Sequence, residues 1–415
     1  MIIFFKSTII YYLFFQGKLP VFQYIDLLWA SSYIFKSMCP SWSGYMSASF
    51  NGQPLPKSRV TMLPIIDLHA TDPSALYSLL LYLIDQSNKI NIQVACVTFD
   101  QQLYIKAYEI VASKKLKIFV CLGGFYQLMS FLGSVGNLMG GSGLDKALET
   151  VYVPVTIGHM FTGKTHSRSV RGHLLRATAV QTLLMEEFWN ELTISEKEEL
   201  QCYYDSDDPN EHEGEELSVR LKNWIESKHK EVSKDSRTSA LWSSYVKYIG
   251  VVQDFIRAER TNDWNLHVTI TYAMLNLFAA TGHHNYAKSC RLYLQSIADL
   301  ETKQPDVYVE FLKGNHTVRR TSKSWAGIWT DLSIELILMK SLKGRSGVVG
   351  KGITENVLRV WTKTMHRCAD ISEAMDSMVS TSSSTSSKHK ELFAGRIKRD
   401  NEDFQKIKVR HFWSI

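Results

Sequence analysis

Residues 91–132 read NIQVACVTFDQQLYIKAYEIVASKKLKIFVCLGGFYQLMSFL. Residues 92–99 make a β-branched, apolar run of the length expected for a strand covered on both faces. Asp100 closes that run. Over 101–113, Leu103, Ala107, Ile110 and Val111 recur at helical spacing, and Lys114 and Lys115 end the segment. Residues 116–122 make a second strand, and Gly123 and Gly124 let the chain turn sharply into a helix beginning near Phe125. The stretch therefore predicts a βαβα unit with one carboxylate at a strand's carboxyl end, the place where open α/β sheets hold ligands.

Working outward, residues 59–67 (RVTMLPIID) read as a further strand. Thr71, Asp72 and Pro73 mark a helix start, with a cap residue ahead of a proline at the first helical position. Residues 74–88 then set Leu76, Leu79, Leu80, Leu83 and Ile84 on one face. From about Thr162 the apolar period becomes helical, with helices expected over 241–257, 265–280, 284–299, 305–312 and 325–342. A serine/threonine run at 377–387 reads as a flexible linker.

Composition narrows the class. With 415 residues, 45% of them hydrophobic, the chain can bury a sizeable core in two domains or in one with a large insertion. The net charge of +6 permits a polyanionic partner without demanding one. Six cysteines are scattered with no CxxC, which points to a reduced intracellular compartment and away from disulfides or a cysteine zinc site. Residues 1–15 are apolar but interrupted by Lys6, Ser7 and Thr8, and shorter than the roughly 20 residues a spanning helix needs. They also lack the charge-first order of a signal peptide, so a membrane anchor is only a third reading of the chain.

Candidate chemistry gathers on a few side chains. Asp100 either caps the following helix or offers hard oxygen ligands to a divalent metal. Asp67 and Asp72 flank the preceding turn, where Asp72 reads as the cap. Asp331 and Glu335 stand one turn apart on an otherwise apolar helix and share a face. Lys164, Arg168 and Arg171 form one basic cluster, Arg319, Arg320 and Lys323 a second, and Lys340, Lys343, Arg345 and Lys351 a third. Each suits phosphate contact or a solvated face. The loop 344–352 (GRSGVVGKG) lacks P-loop spacing, and Gly352 follows Lys351 where serine or threonine belongs. His283 and His284 have no further ligand at metal spacing and read as helix-start hydrogen bonders.

Several blocks then resemble a repetitive, uncharacterised group of mobile-element-associated proteins of animal genomes. They are WSGYM at 42–46, LPIIDL at 63–68, CVTFDQQLYIKAYEIV at 96–111 and LGGFYQLMSFLGSVG at 122–136. They continue with GKTHSRSVRGHLL at 163–175, GHHNYAKSCRLYLQ at 282–295, VRRTSKSWAGIWTDLSIELILMKSLK at 318–343 and KGITENVLRVWTKTMHRCADISEAM at 351–375. The layout is similar to an RNase H-like transposase core, in which acids on separate elements bind two metals.

The resemblance implies an α/β fold: an RNase H-like mixed sheet with a large all-helical insertion and a helical carboxyl-terminal part. Residues 1–58 are then a truncated or replaced start, 59–161 the α/β core, and 162–320 the insertion. Residues 321–378 supply the acidic helix that completes the core, and 379–415 a linker and charged tail. Asp100 and Glu335 become Mg²⁺ ligands, with Asp331 beside them, and Lys164, Arg168, Arg171, Arg319 and Arg320 hold DNA. The family's Asp-rich amino-terminal block is missing, and Tyr126 stands where GGFH is expected. A truncated, inactive transposase-like protein of the nucleus is therefore expected, with no small-molecule cofactor and an oligomer permitted. The alternative is a non-catalytic interaction or nucleic-acid-binding protein.

Overall fold

The computed structural model describes residues 22–60, 68–319, 321–338, 354–361, 363–364, 367 and 389–411. Residues 1–15, Asp67, Arg320, the basic cluster from Lys340 to Lys351 and the run 377–387 lie outside the described residues. In chain order the helices begin with α1 (Tyr24–Phe35), α2 (Trp42–Ser49) and α3 (Pro73–Lys89). Strand β1 (Ala95–Phe99), α4 (Gln101–Lys114), β2 (Ile118–Leu122) and α5 (Gly124–Leu138) follow. Next come α6 (Leu144–Leu148), α7 (Pro154–Phe161), α8 (His166–Glu191), α9 (Ile194–Asp205), α10 (Glu216–Asp235), α11 (Arg237–Thr261), α12 (Trp264–Ala280) and α13 (His284–Ala298). The order ends with α14 (Leu300–Lys303), α15 (Pro305–Leu312), β3 (Val318–Arg319), β4 (Gly327–Ile328), α16 (Thr330–Ser333) and α17 (Ala394–His411).

The RNase H-like α/β expectation is overturned. The described residues are 72% helix and 4% strand, and their strands form two separate two-stranded sheets. β1 and β2 do pair in parallel, from Ala95 opposite Ile118 to Phe99 opposite Leu122. Full cover holds for β2 alone, and helices rather than further strands supply it; β1 spans only 95–99, buries Ala95 and Phe99, and leaves Cys96 and the preceding Ile92 exposed. Phe311 of α15 meets Phe119 edge-on at 5.7 Å, and α3 and α4 pack on the strands as well. A strand buried by helices has the same composition as one buried by a sheet layer.

The predicted helix over 325–342 also changes. It begins only at Thr330, after the β4 bridge, and passes at Ile334–Leu338 into a π-helical turn. Elsewhere the helical reading from Thr162 onward matches closely, as at Pro305–Leu312 and Trp264–Ala280.

The chain divides into two compact units, Met1–Gln53 with Leu128–Leu294 and Lys388–Ile415, and Pro54–Gln127 with Gln295–Ser387. The first is all-helical in its described part. α1 buries Tyr24, Leu27, Leu28, Trp29 and Ala30, with Ser31 and Ser32, and is buried around its whole circumference, as befits a central helix. α17 belongs to this core through Phe404 and Ile407, both fully buried. Its Asp400 and Asp403 take up the guanidinium of Arg171 (Nε to Asp400 2.8 Å, Nη2 to Asp403 2.7 Å).

Polar groups inside this unit are paired across helices. Arg257 of α11 lies between Asp254 and Asp26 of α1, and the Trp42 indole donates to Asp26 at 2.7 Å. Burial, with Asp26 nearby, pushes the Asp254 carboxyl up to about 7 against the pull of Arg257. His229 links three helices, with Nδ1 2.9 Å from the Ser243 hydroxyl and Nε2 3.3 Å from Gln181 Oε1. His173, fully buried, has Nδ1 3.1 Å from the Tyr245 hydroxyl. Burial lowers His173 to about 4; His229 and His166 fall to about 4 for the same reason, helped by Lys247 and Arg260 respectively. Among the described residues no helix is long and apolar enough to cross a membrane.

These shifts set a pH dependence. A histidine held at about 4 in the fold and near 6.5 in the unfolded chain contributes stability above pH 6.5 that is lost as pH falls towards 4. Asp254 acts oppositely, its contribution being present below about 4 and lost as pH rises towards 7. Three groups oppose one, each pKa unit counting about 1.4 kcal/mol. The thermal midpoint, followed by circular dichroism, is therefore expected to be lower at pH 4.5 than at pH 7.5. His173→Gln should flatten that dependence, and an unchanged dependence would exclude His173 as a contributor.

Candidate functional site

The second unit assembles the predicted acids at the carboxyl end of β1 and β2. Asp100 leaves β1 in extended conformation and caps α4, its Oδ1 accepting from the Leu103 amide at 2.9 Å. Beside it, Gly123 leaves β2 and donates its amide to the Phe99 carbonyl at 2.8 Å. α5 starts at Gly124, and its first amides find a partner distant in sequence. Asp331 Oδ1 accepts from Phe125 N at 3.1 Å and Oδ2 from Tyr126 N at 3.2 Å. A buried carboxylate so placed satisfies orphan amides and faces the positive end of the helix dipole.

The double glycine is what admits this cap. A Cβ on Gly123 would lie 2.5 Å from Asp331 Oδ2, and one on Gly124 would lie 2.1 Å from Cδ1 of the buried Trp329. Neither glycine has a positive φ, so close approach rather than backbone freedom explains the pair. One turn beyond Asp331, Glu335 Oε1 accepts from the Tyr126 hydroxyl at 2.8 Å. Burial, that hydrogen bond and the charges of Glu335, Asp331 and Asp100 push the Tyr126 phenol up to about 12. Tyr126 is therefore the side chain around which the three predicted acids gather.

The acids do not fit a divalent metal. Their oxygens do not all lie within 4.8 Å of one another, the spacing a shared cation needs. Asp331 is engaged through both oxygens, and Asp100 and Glu335 each have one oxygen committed to a protein donor. No step through Mg²⁺ follows from this arrangement.

The basic residues separate into two kinds. Arg171 is held by α17, as described. Arg319 is buried within the second unit: Nε donates to the Pro56 carbonyl at 2.8 Å, Nη1 to the Gly314 carbonyl at 3.1 Å and Nη2 to Asn315 Oδ1 at 3.0 Å. It fastens residues 56–58 to the 314–315 turn, and burial lowers its pKa. Lys164 and Arg168, in the first unit, are exposed with no acidic partner among the described residues. Asp72 is the cap of α3, accepting from Ser74 N at 2.7 Å. Sequence reasoning did not pair Tyr126 with Glu335 or place Trp329 against Gly124, because neither contact has a local signal; the GGFY motif marked only one side of each.

A small parallel βαβ unit with an acid-capped helix start thus defines a helical protein with a structural, hydrogen-bonded carboxylate cluster. The family model described as a domain of unknown function (DUF8702) matches residues 41–411, and the chain belongs to that family. No curated protein and no solved structure matches it.

Two substitutions test the cap. Gly→Ala in a helix ordinarily stabilises by up to about 1 kcal/mol. Gly124→Ala is expected to destabilise instead, by about 1–3 kcal/mol, because Trp329 occupies the space. Asp331→Ala should lose about 1–3 kcal/mol by leaving the buried Phe125 amide and the part-buried Tyr126 amide unpaired. Urea denaturation of the full chain reads both, and a stabilised Gly124→Ala would refute the Trp329 contact.

Proposed function

We propose that this chain is a non-catalytic nucleic-acid-binding protein of mobile-element descent, acting in the nucleus. The observation that carries the reading is the state of the predicted catalytic acids. Asp100 caps α4, Asp331 caps α5 and Glu335 accepts from Tyr126, so each serves the fold. The descent is supported by the sequence blocks between Trp42 and Met375, and DNA contact by the positive net charge and the unpaired Lys164 and Arg168.

A second reading, metal-dependent phosphoryl transfer, is favoured by one fact alone: the three acids and Tyr126 share one end of the βαβ unit. A single assay separates the two. Supercoiled plasmid incubated with the full chain and Mg²⁺ or Mn²⁺ is expected to stay supercoiled. The same protein should bind a mixed-sequence duplex, and more weakly as salt rises. Divalent-dependent nicking that disappears in Glu335→Gln would replace the binding reading with the enzymatic one.

A further inference from the structure

Asn51 and Gly52 are the one Asn-Gly pair in the chain. They lie just beyond α2, which ends at Ser49 and is closed by the Phe50 amide donating to the Met46 carbonyl at 3.0 Å. Residues 51–60 form neither helix nor strand, and Asn51 is exposed. A Cβ on Gly52 would lie 2.2 Å from Cε1 of the Phe50 ring, so the ring requires glycine there. Glycine also leaves its own backbone nitrogen without a side chain to screen it. Among the described residues that nitrogen has no hydrogen-bond acceptor.

Little ties Asn51 down. Its Nδ2 donates to the Asp207 carbonyl at 3.3 Å, longer than the roughly 2.9–3.0 Å of an ordinary bond of this kind. A hydrogen bond from the same side chain is the main cause that holds the Asp208 carboxyl below its usual value. Both partners belong to an acidic stretch of the first unit: residues 205–216 hold seven Asp and Glu, one His and no Lys or Arg. Asn51 is thus a neutral donor that lets its loop rest against an acidic turn.

We infer that Asn51-Gly52 is a site of spontaneous modification, at which the folded chain converts Asn51 to aspartate and isoaspartate through a cyclic imide. The ionised Gly52 nitrogen attacks Cγ of Asn51. An N–Cγ bond forms, the Cγ–Nδ2 bond breaks, and the proton lost from Gly52 is balanced by the one the departing nitrogen takes up to leave as ammonia. Water then opens the imide at one of its two carbonyls. Breaking the new N–Cγ bond gives aspartate; breaking the original peptide bond gives isoaspartate, with one extra carbon in the main chain. No metal, oxidant or second protein takes part. The product reverses the sign of the contact, because a donor to Asp207 and Asp208 becomes a carboxylate facing them. Ammonia escapes to bulk water, so the change accumulates with the age of the molecule and loosens the 50–53 loop from the 207–210 turn.

Ageing the full chain at 37 °C, at pH 6.0 and pH 8.0, followed by tryptic mass spectrometry, tests this. The tryptic peptide 37–57 has Asn51 as its one asparagine. It is expected to gain one dalton, with isoaspartate exceeding aspartate, and faster at pH 8.0, where more of the Gly52 amide is ionised. Asn91, also exposed but followed by the branched Ile92, should convert roughly tenfold more slowly or less. Asn51→Gln should show no gain at residue 51 over the same time. Asn51→Asp supplies one product directly. In it, hydrogen exchange at Asn210 and Glu211, whose amides bond to Asp208, should quicken by about three- to tenfold, the weight of one hydrogen bond. Conversion no faster than at Asn91 would overturn the site, and aspartate without isoaspartate would overturn the imide route. Unchanged exchange in Asn51→Asp would overturn the loosening of the turn.

Discussion

The carboxylate of Asp331, buried against the first amides of α5, holds the second unit in its particular form. It joins an acid more than 200 positions away to the turn that follows β2, where Gly123 leaves room for the carboxylate and Gly124 for the neighbouring Trp329. Charge, desolvation and hydrogen bonding act together at this point. The acid is kept in a buried place because two backbone amides and the helix dipole stabilise it. Once Asp331 is inward, Glu335 on the next turn meets the Tyr126 hydroxyl. A set of residues that reads as chemistry in one dimension becomes a structural clasp in three.

The helical unit obeys the same rule by different means. Its interior contains Asp254, His173 and His229, with Asp26 and Arg257 half-buried beside Asp254, none of them expected in a core on composition alone. Asp26, Arg257, His173 and His229 each have a hydrogen-bond partner on another helix, while Asp254 is held by Arg257 of its own helix, so the polar groups fix which faces meet, whereas apolar contacts tolerate sliding. A buried ion pair of this kind adds little net stability, but removing one member leaves an unpaired charge. The net balance of this interior is negative, with one arginine between two carboxylates. Burial first, and Asp26 second, raise the Asp254 carboxyl, while the nearby arginine keeps its proton.

Much of the local structure was legible. Helices over 264–280 and 305–312 follow from apolar periodicity and from Pro305, and the βα turn at Asp100 follows from its cap position. The acids were also legible as a group, since Asp100, Asp331 and Glu335 do lie around one phenol. What they do there was not legible, because a metal ligand and a helix cap need the same residue at a strand's end. The RNase H-like core failed for a related reason: strand burial shows in composition, but the identity of the covering layer does not. Arg171 and Arg319 looked like surface cations because their partners, Asp400, Asp403 and the carbonyls of 56 and 314, are remote or invisible in the side-chain sequence.

By itself the sequence determined where most helices lie, that β2 is buried, and that the 129–137, 161–168 and 281–291 segments are free of acid. These depend on periodicity, caps and composition, which act over a few residues. Tertiary structure alone decided that the described strands pair only in twos, that Asp331 faces inward, and that the 161–168 and 281–291 segments both pack against α5. Those outcomes depend on which long-range partner claims each polar group, and an unpaired buried polar atom is too costly for the chain to leave that choice open.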